Sequence, residues 1–480
     1  YGNGRGTFHL NTTLHENYGL RVGDLCYVGY SAPGTFDHVG GLARVHRLYI
    51  GQNDPGEYLM RGGRLEITNQ FVLGNGDVGT FTQTGGVVDH PAANGIIAGL
   101  NTGGDGTYLM KGGTLSTNHL SFAWNGNAYF TQTGGTVTIA TDINIGCQGT
   151  HPLQAWYKLS EADGPAVLNV GGDLRVGPQT YGKYEQSAGT ATVYGELGIW
   201  QGSTTASSAV YLSGGLLDVR GGARNYSGYY SQNGGILSTQ TFTNDSTAGV
   251  YISGTSDFRS NTLTHNAGTL WLYGSAQLRG RLAIPPNVYF VCNFTNNSTF
   301  QMGSNASPGG QFSGHLTNYG TFNYFQGSFN GTLTNHGTVN LNNSFACTRF
   351  ISHVPFQVPT SRTLTATGAG YASAFENNST LYMTRCAINV GTSKLVNNNT
   401  MYTGGPGTDV ATIQGNVDNN GFLLPSAGTP GGHLQVTGNY ASGGGAQLRI
   451  RLNGTAVDTY DRLTVQGTAA LGGALDVRLY

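Results

Sequence analysis

Through the first half of the chain an aromatic residue is followed, about four positions later, by a pair of glycines, and the phrase returns every 20 to 30 residues. Its copies are Tyr58-Leu59-Met60-Arg61-Gly62-Gly63, Phe81-Thr82-Gln83-Thr84-Gly85-Gly86, Tyr108-Leu109-Met110-Lys111-Gly112-Gly113 and Phe130-Thr131-Gln132-Thr133-Gly134-Gly135. It recurs at Tyr211 (Gly214-Gly215) and Tyr230 (Gly234-Gly235), and in degraded form at Tyr184 and Tyr251. A fixed period of this length marks a solenoid, in which each unit buries its apolar face only against its neighbours. Function in such a chain is expected from length and surface before any catalytic cluster.

Two versions of the phrase alternate. One carries Leu then Met or Ser after the aromatic (Tyr58, Tyr108, Tyr211), the other Gln two places after it (Phe81, Phe130, Tyr184, Tyr230). Tyr58 and Tyr108 are 50 residues apart and Phe81 and Phe130 are 49 apart, whereas unlike neighbours are separated by 23 and 22. Trp156-Tyr157-Lys158-Leu159 falls at the place of the next first-type copy, so two coils form a super-repeat. Each coil also holds apolar residues two apart closed by Gly, as in Leu48-Tyr49-Ile50-Gly51, Phe71-Val72-Leu73-Gly74 and Ile143-Asn144-Ile145-Gly146. Such runs read as short strands with one buried face. A third strand follows the Gly pair, with Leu65 and Ile67, then Val137 and Ile139, placed to point inward. With no helical periodicity, the pattern predicts an all-β fold: a single-stranded parallel β-helix, or β-solenoid, right-handed, with about 20 coils of roughly 17–27 residues.

Stacked coils bring equivalent side chains into ladders. Tyr58, Phe81, Tyr108, Phe130, Tyr157, Tyr184, Tyr211, Tyr230 and Tyr251 are expected to form one aromatic column. Gln83, Gln132, Gln186 and Gln232 share its parity, so they are expected inside, with their amides bonded to turn backbone. From about residue 261 a different phrase takes over: Phe294-Thr295-Asn296, Leu316-Thr317-Asn318, Leu333-Thr334-Asn335, Phe375-Glu376-Asn377, Leu395-Val396-Asn397 and Val417-Asp418-Asn419. These asparagines recur at intervals of 22, 17, 20 and 22, and the gap of 42 between Asn335 and Asn377 fits two coils with one irregular copy. They are expected to form an inward ladder of amides satisfying each turn. The chain therefore divides into residues 1–44, an N-terminal strand, cap or assembly segment; 45–260, aromatic/Gly-Gly coils; 261–425, Asn-ladder coils; and 426–480, the C-terminal solenoid end.

Composition narrows the classes. Glycine numbers 78 of 480 residues, about 16% against a usual ~7%, without the every-third spacing of collagen. Charged residues are 10% and nearly cancel, to a net charge of -1, so there is no basic face for nucleic acid and no polybasic membrane patch. No apolar run is long enough for a membrane span. The chain begins at Tyr1, as expected where an export signal has been removed. The five cysteines (Cys26, Cys147, Cys292, Cys347, Cys386) have no zinc spacing and are expected as buried thiols, with Cys347 and Cys386 the one pair near enough along the coils to bond.

Gly79-Thr80-Phe81-Thr82-Gln83-Thr84-Gly85-Gly86, with its Tyr-Leu-x-x-Gly-Gly alternates, resembles the repeats of large exported planctomycete and verrucomicrobial surface proteins, which are autotransporter-like or PEP-CTERM-associated. The terminal Gly432-His433-Leu434-Gln435-Val436-Thr437-Gly438-Asn439-Tyr440 and Tyr460-Asp461-Arg462-Leu463-Thr464-Val465-Gln466-Gly467 are similar to the end of such β-helical passenger regions. The resemblance covers roughly residues 45–260 and 430–480 and implies secretion and a surface or matrix role.

Parallel β-helices also host polysaccharide lyases and hydrolases, which need clustered carboxylates or a base with calcium. Asp54, Asp77 and Asp105 form the best acidic row, yet each sits in a Gly-rich turn where Asp is ordinary. Histidines such as His119, His151, His265, His315, His336 and His353 are scattered without paired spacing. Asn296, Asn330, Asn377 and Asn398 fit the glycosylation sequon, although turn chemistry alone accounts for them. No catalytic, cofactor-binding or metal-ligating residue is therefore assigned. The expectation is a non-enzymatic extracellular or cell-surface structural protein that joins copies of itself end to end into a surface or matrix filament. In support, the ends are β-patterned without a capping helix, and Phe8-His9-Leu10 or Leu25-Cys26-Tyr27 is a segment able to supply a strand to a neighbour. The alternatives are a monomeric surface stalk or adhesin that binds cell-surface or matrix glycans through Trp124, Trp156, Trp200, Trp271 and exposed Tyr, and a polysaccharide-degrading β-helix enzyme.

Overall fold

A computed structural model describes residues 6–11, 19–147, 154–201, 208–273, 275–279, 292–305, 310–404, 409–426, 428–456 and 458–480. The fold is all-β, and the described residues contain no helix. Its strands pair in parallel and stack as a β-solenoid of about 19 turns. The chain forms two compact units, residues 1–261 and 262–480.

In the first unit one wall is built from the aromatic strands. Gly34–His38, Gly56–Met60, Val78–Gln83, Asp105–Met110, Asn127–Gln132, Ala155–Leu159 and Gly182–Gln186 pair in unbroken register. Phe36, Tyr58, Phe81, Tyr108, Phe130, Tyr157 and Tyr184 therefore lie directly over one another, buried, with ring centroids 4.6 to 5.8 Å apart. That interval follows the ~4.8 Å strand spacing, and each ring pair adds about 0.5–1.5 kcal/mol beyond its burial. Leu65, Val88, Leu115, Val137 and Leu168 form the inward column of a second wall. Leu48, Phe71, Ile96, Leu120, Ile143 and Leu174 form that of a third.

The glycine pair makes the corner between the first two walls, and its two members are required for different reasons. A Cβ on Gly85 would lie 2.5 Å from the Arg61 carbonyl oxygen of the coil before it. Gly86 has φ +72°, in the left-handed region that side chains rarely enter.

The N-terminal strands join the same walls. Gly6–Leu10 pairs with Gly34–His38, and Gly19–Val28 with Leu42–Ile50, so both segments considered as donors to a neighbour are engaged within their own chain.

The expected aromatic column is corrected at two levels. Register places Val210 over Tyr184 and Val250 over Tyr230, while Tyr211 and Tyr251 face outward. Tyr211 and Tyr251 stand only three residues before their glycines, not four. In a strand a slip of one residue turns a side chain to the opposite face.

The inward position two residues after the aromatic explains the super-repeat. Read up the wall it is His38, Met60, Gln83, Met110, Gln132, Leu159, Gln186, Leu212, Gln232 and Ile252, all buried. Gln83 donates to the Gly86 carbonyl (3.2 Å) and to the Thr114 carbonyl of the next coil (3.0 Å). Gln132 donates likewise to Gly135 (2.9 Å) and Val167 (3.0 Å), and Gln186 to Gly189 (3.0 Å) and Leu216 (2.9 Å). One amide thus serves two levels, and the level between takes an apolar side chain. The amide oxygen accepts from a tyrosine: Tyr108 to Gln83 at 2.6 Å, Tyr157 to Gln132 at 2.7 Å. From Tyr58 to Tyr157, therefore, Tyr accompanies Met or Leu and Phe accompanies Gln, whereas Tyr184 and Tyr230 each donate to the Gln of their own strand, Gln186 and Gln232, at 3.0 Å. His38 plays the Gln part in the earliest described pair, with Nδ1 2.9 Å from the Tyr58 hydroxyl and Nε2 3.1 Å from the Gly41 carbonyl.

In the second unit the inward asparagine ladder is present as expected. Asn296 donates to Asn318 (2.7 Å), Asn318 to Asn335 (2.9 Å), Asn377 to Asn397 (2.7 Å) and Asn397 to Asn419 (2.7 Å), all buried. The irregular copy is Ser352, in register between Asn335 and Asn377. His265 stands at the same position beside Asn296, its Nε2 3.1 Å from the Thr299 carbonyl.

These enclosed imidazoles make stability acid-sensitive. Burial lowers His90 and His265 from 6.5 to about 4. In the unfolded chain they take up a proton near pH 6.5, whereas the folded chain resists until about pH 4. The unfolded state therefore binds more protons in that window, and stability falls with acidification from pH 7 to 4, by up to about 3 kcal/mol per histidine. Thermal melts at pH 7 and pH 4.5 should show this loss, and His265→Asn, which restores the ladder's usual residue, should lose less.

Candidate functional site

The one-residue slip at Tyr211 and Tyr251 has a consequence on the outside of the first unit. Outward positions of the aromatic wall bring Tyr129, Trp156 and Lys183 into one column, continued through Ala209 to Tyr229. Lys158, Glu185, Tyr211, Ser231 and Tyr251 form the adjacent column. The Lys183 ammonium lies 4.3 Å from the Trp156 ring centroid and 4.9 Å from that of Tyr211, and it pairs with the Glu185 carboxylate. Tyr211 and Tyr229 rings are 5.8 Å apart, Tyr229 and Tyr251 5.2 Å. Burial among neighbouring rings raises the Tyr229 hydroxyl above its ordinary pKa.

From Tyr129 to Tyr251 the strip crosses five coil steps, roughly 24 Å at ~4.8 Å per step. It is a row of partly exposed rings, Tyr211, Tyr229 and Tyr251 tilted to one another, with Lys158, Lys183 and Glu185 among them. Such a surface can stack on the apolar faces of sugar rings while hydroxyl, ammonium and carboxylate groups bond their hydroxyls.

The four tryptophans are all half-buried, not freely exposed. Only Trp156 lies on this strip. Trp200 stacks on Tyr226 at 4.6 Å with the Arg224 guanidinium over the same tyrosine, and Trp124 borders a cavity of about 340 Å³ with His119, Asn144 and Arg175. Trp271 belongs to the second unit.

The acidic row does not converge. Asp54 and Asp77 are equivalent by register, but Asp105 is aligned with Val78, one residue off. Asp77 accepts from the Val78 N–H at 2.7 Å and Asp105 from the Asn127 amide at 2.9 Å, both turn-stabilising contacts. Among the described residues no three His, Cys, Asp or Glu side chains stand close enough to hold a metal ion. His336 and His353 stack outside the Asn ladder at 4.4 Å, His119 bonds Asn144 at 3.1 Å, and His151 lies outside the described residues.

Cys347 and Cys386 are separate buried thiols and do not form a disulfide. Burial pushes the Cys26 thiol up to about 11 and Cys292 and Cys386 up to about 12, which suppresses the nucleophilic thiolate. Of the sequon asparagines, Asn296 and Asn377 are locked in the ladder, whereas Asn330 and Asn398 are exposed. Among the described residues no helix is long and apolar enough to cross a membrane. Comparison with protein-family models, with curated proteins and with solved structures finds no match for this chain.

Proposed function

We propose that this protein is a non-enzymatic extracellular structural protein whose units associate end to end into a surface or matrix filament. The observation that supports this reading is the mode of coil addition. Each level is joined to the next by in-register parallel rungs and by buried amides that bond across levels, as Gln132 does to Val167 and Asn397 to Asn419. The same bonds can join a coil of one chain to a coil of another. A net charge of -1 adds little repulsion between copies. The repeat resemblance to exported surface proteins is the reason for proposing an extracellular filament. Negative-stain imaging and mass photometry across a concentration series test it: filaments growing with concentration are expected, and a protein monomeric throughout would overturn it.

A second reading, a surface stalk that binds glycans, is favoured by the strip around Trp156, Lys183 and Tyr211. Sedimentation with insoluble polysaccharides tests it. Binding lost on Trp156→Ala and Tyr211→Ala supports the reading, and no binding by the unaltered protein removes it.

A further inference from the structure

An open groove of about 880 Å³ lies on the outer surface of the second unit. One side of it is built by three successive coils. Thr299–Met302, Thr321–Tyr324 and Thr338–Leu341 pair in register, so Gln301, Asn323 and Asn340 stand one above another on the outward face. The other side is the segment 354–360, whose short strand Phe356–Val358 lies on the next coil and does not pair with Thr338–Leu341. Pro355 and Pro359 bracket that strand and offer no N–H for a ladder. Its outward side chain is Gln357, exposed between buried Phe356 and Val358.

The groove carries hydrogen-bonding groups whose directions are already fixed. Asn340 donates an amide N–H to Asn323 Oδ1 at 2.8 Å. Gln301 donates to the Gly303 carbonyl at 3.0 Å and to the Tyr273 hydroxyl at 3.1 Å. These bonds orient the row. They leave Asn323 Nδ2 as a donor and Asn340 Oδ1 as an acceptor one coil step, about 4.8 Å, apart. Among the described residues, the Asn342 and Gln357 amides bond no protein group.

Apolar surface lies between the amides. Phe325 and Val339 are half-buried, Pro355 is exposed, and all three line the groove. Among the described residues no charged side chain does so. The volume falls within the ~300–1,000 Å³ of small-ligand sites. An amide presents a donor and an acceptor side by side, which suits adjacent hydroxyls of a sugar ring, since each hydroxyl can give and accept. The C–H faces of the same ring can pack on Phe325, Val339 and Pro355. A carboxylated or sulfated sugar would find no counter-charge there.

We propose that this groove binds a neutral oligosaccharide. Its amides sit on paired strands, so little conformational freedom is lost on binding. The inference rests on the glycan-binding reading for its class of ligand. Its site is separate: the groove belongs to the second unit and shares no residue with the strip around Trp156.

The test titrates the whole protein with cellohexaose, maltohexaose and mannohexaose by calorimetry, beside the variants Asn340→Ala, Gln357→Ala and Trp156→Ala. Saturable binding of at least one hexasaccharide is expected. Each groove substitution should weaken it about three- to tenfold, and Trp156→Ala should leave it unchanged. Gln357 is exposed and bonds no protein group among the described residues, so its variant decides the matter if Asn340→Ala disturbs the outward row. Binding that is lost with Trp156→Ala and kept in both groove variants would overturn the groove and leave the glycan-binding reading standing. So would sedimentation with insoluble polysaccharides by a protein that binds none of the three hexasaccharides. Tighter binding of hexagalacturonic acid that depends on Asn340 and Gln357 would contradict the neutral class.

Discussion

Replacing Gln132 with leucine is expected to destabilise the coils around it by about 3–5 kcal/mol, although leucine is the natural occupant one level above. Leu159 and Met110 fill the neighbouring positions of the same column, so the shape is compatible and the loss isolates hydrogen bonding. One buried group would be orphaned, the Tyr157 hydroxyl at 2.7 Å, and the Gly135 (2.9 Å) and Val167 (3.0 Å) carbonyls would each lose their second hydrogen bond while staying in the strand ladder. The orphan costs about 1–3 kcal/mol and each lost bond about 0.5–1.5 kcal/mol. Adding Tyr157→Phe to the leucine variant removes the orphan and should restore about 1–2 kcal/mol, a coupling that a double-mutant cycle measures. Because each coil contacts only its neighbours, the loss should be local. Amide hydrogen exchange should accelerate over residues 127–170 and stay slow elsewhere. Uniform acceleration, or none, would contradict the two-level role of this amide.

The second large effect is expected from Asp461→Ala, at about 3–5 kcal/mol. Asp461 is fully enclosed and the Arg451 side chain is 7% exposed, with Nε 2.8 Å from the carboxylate. The carboxylate also accepts from Arg451 N–H (3.1 Å), Gly431 N–H (3.1 Å) and Gly432 N–H (3.2 Å). The guanidinium is further bonded to the carbonyls of Ser426, Thr429 and Gly428. Removing the acid leaves a buried cation and two turn amides without acceptors. Joint replacement, Asp461→Ala with Arg451→Met, takes away that cation and should recover part of the loss. Limited proteolysis at the 426–432 turn reads the outcome. Faster cleavage is expected in the single variant, with protection partly regained in the double one.

The contrast between these two sites shows what periodicity reveals. Gln132 was legible because its parity matches the aromatic and its copies recur, and Asn397 was legible for the same reason. Ser352 was inferred only as an irregular copy, since a single serine carries no periodic signal of its own. His38 and His265 stand in the Gln and Asn columns as chemical substitutes: an imidazole N–H can give a carbonyl what an amide gives. Tyr211 departs from the expected column because the glycine pair fixes the corner, and distance from that pair, not the aromatic itself, sets which face a side chain takes. Arg451 and Asp461 were invisible. In Leu448-Arg449-Ile450-Arg451-Leu452 the alternation points Arg451 away from the core, as the structure has it, and burial comes from the turn closing over that outer face. The break in one wall of the second unit, where Thr338–Leu341 and Phe356–Val358 of successive coils do not pair, was equally silent, because Pro355 and Pro359 look like ordinary loop residues in the sequence.

The claim underlying all of this is that like positions of successive coils stand directly over one another. Thr82 and Leu109 are register partners on the outside of adjacent coils, 27 residues apart in sequence. In a Cys26→Ser, Cys147→Ser background, pyrene-maleimide attached at Thr82→Cys and Leu109→Cys should give strong excimer emission, since the two attachment points are ~4.8 Å apart. The same label at Thr82→Cys and Glu185→Cys, four coil steps or roughly 19 Å apart, should emit as monomer. Monomer emission from the 82/109 pair would show that the coils are not stacked in this register, and the ladders described for both units would fall with it.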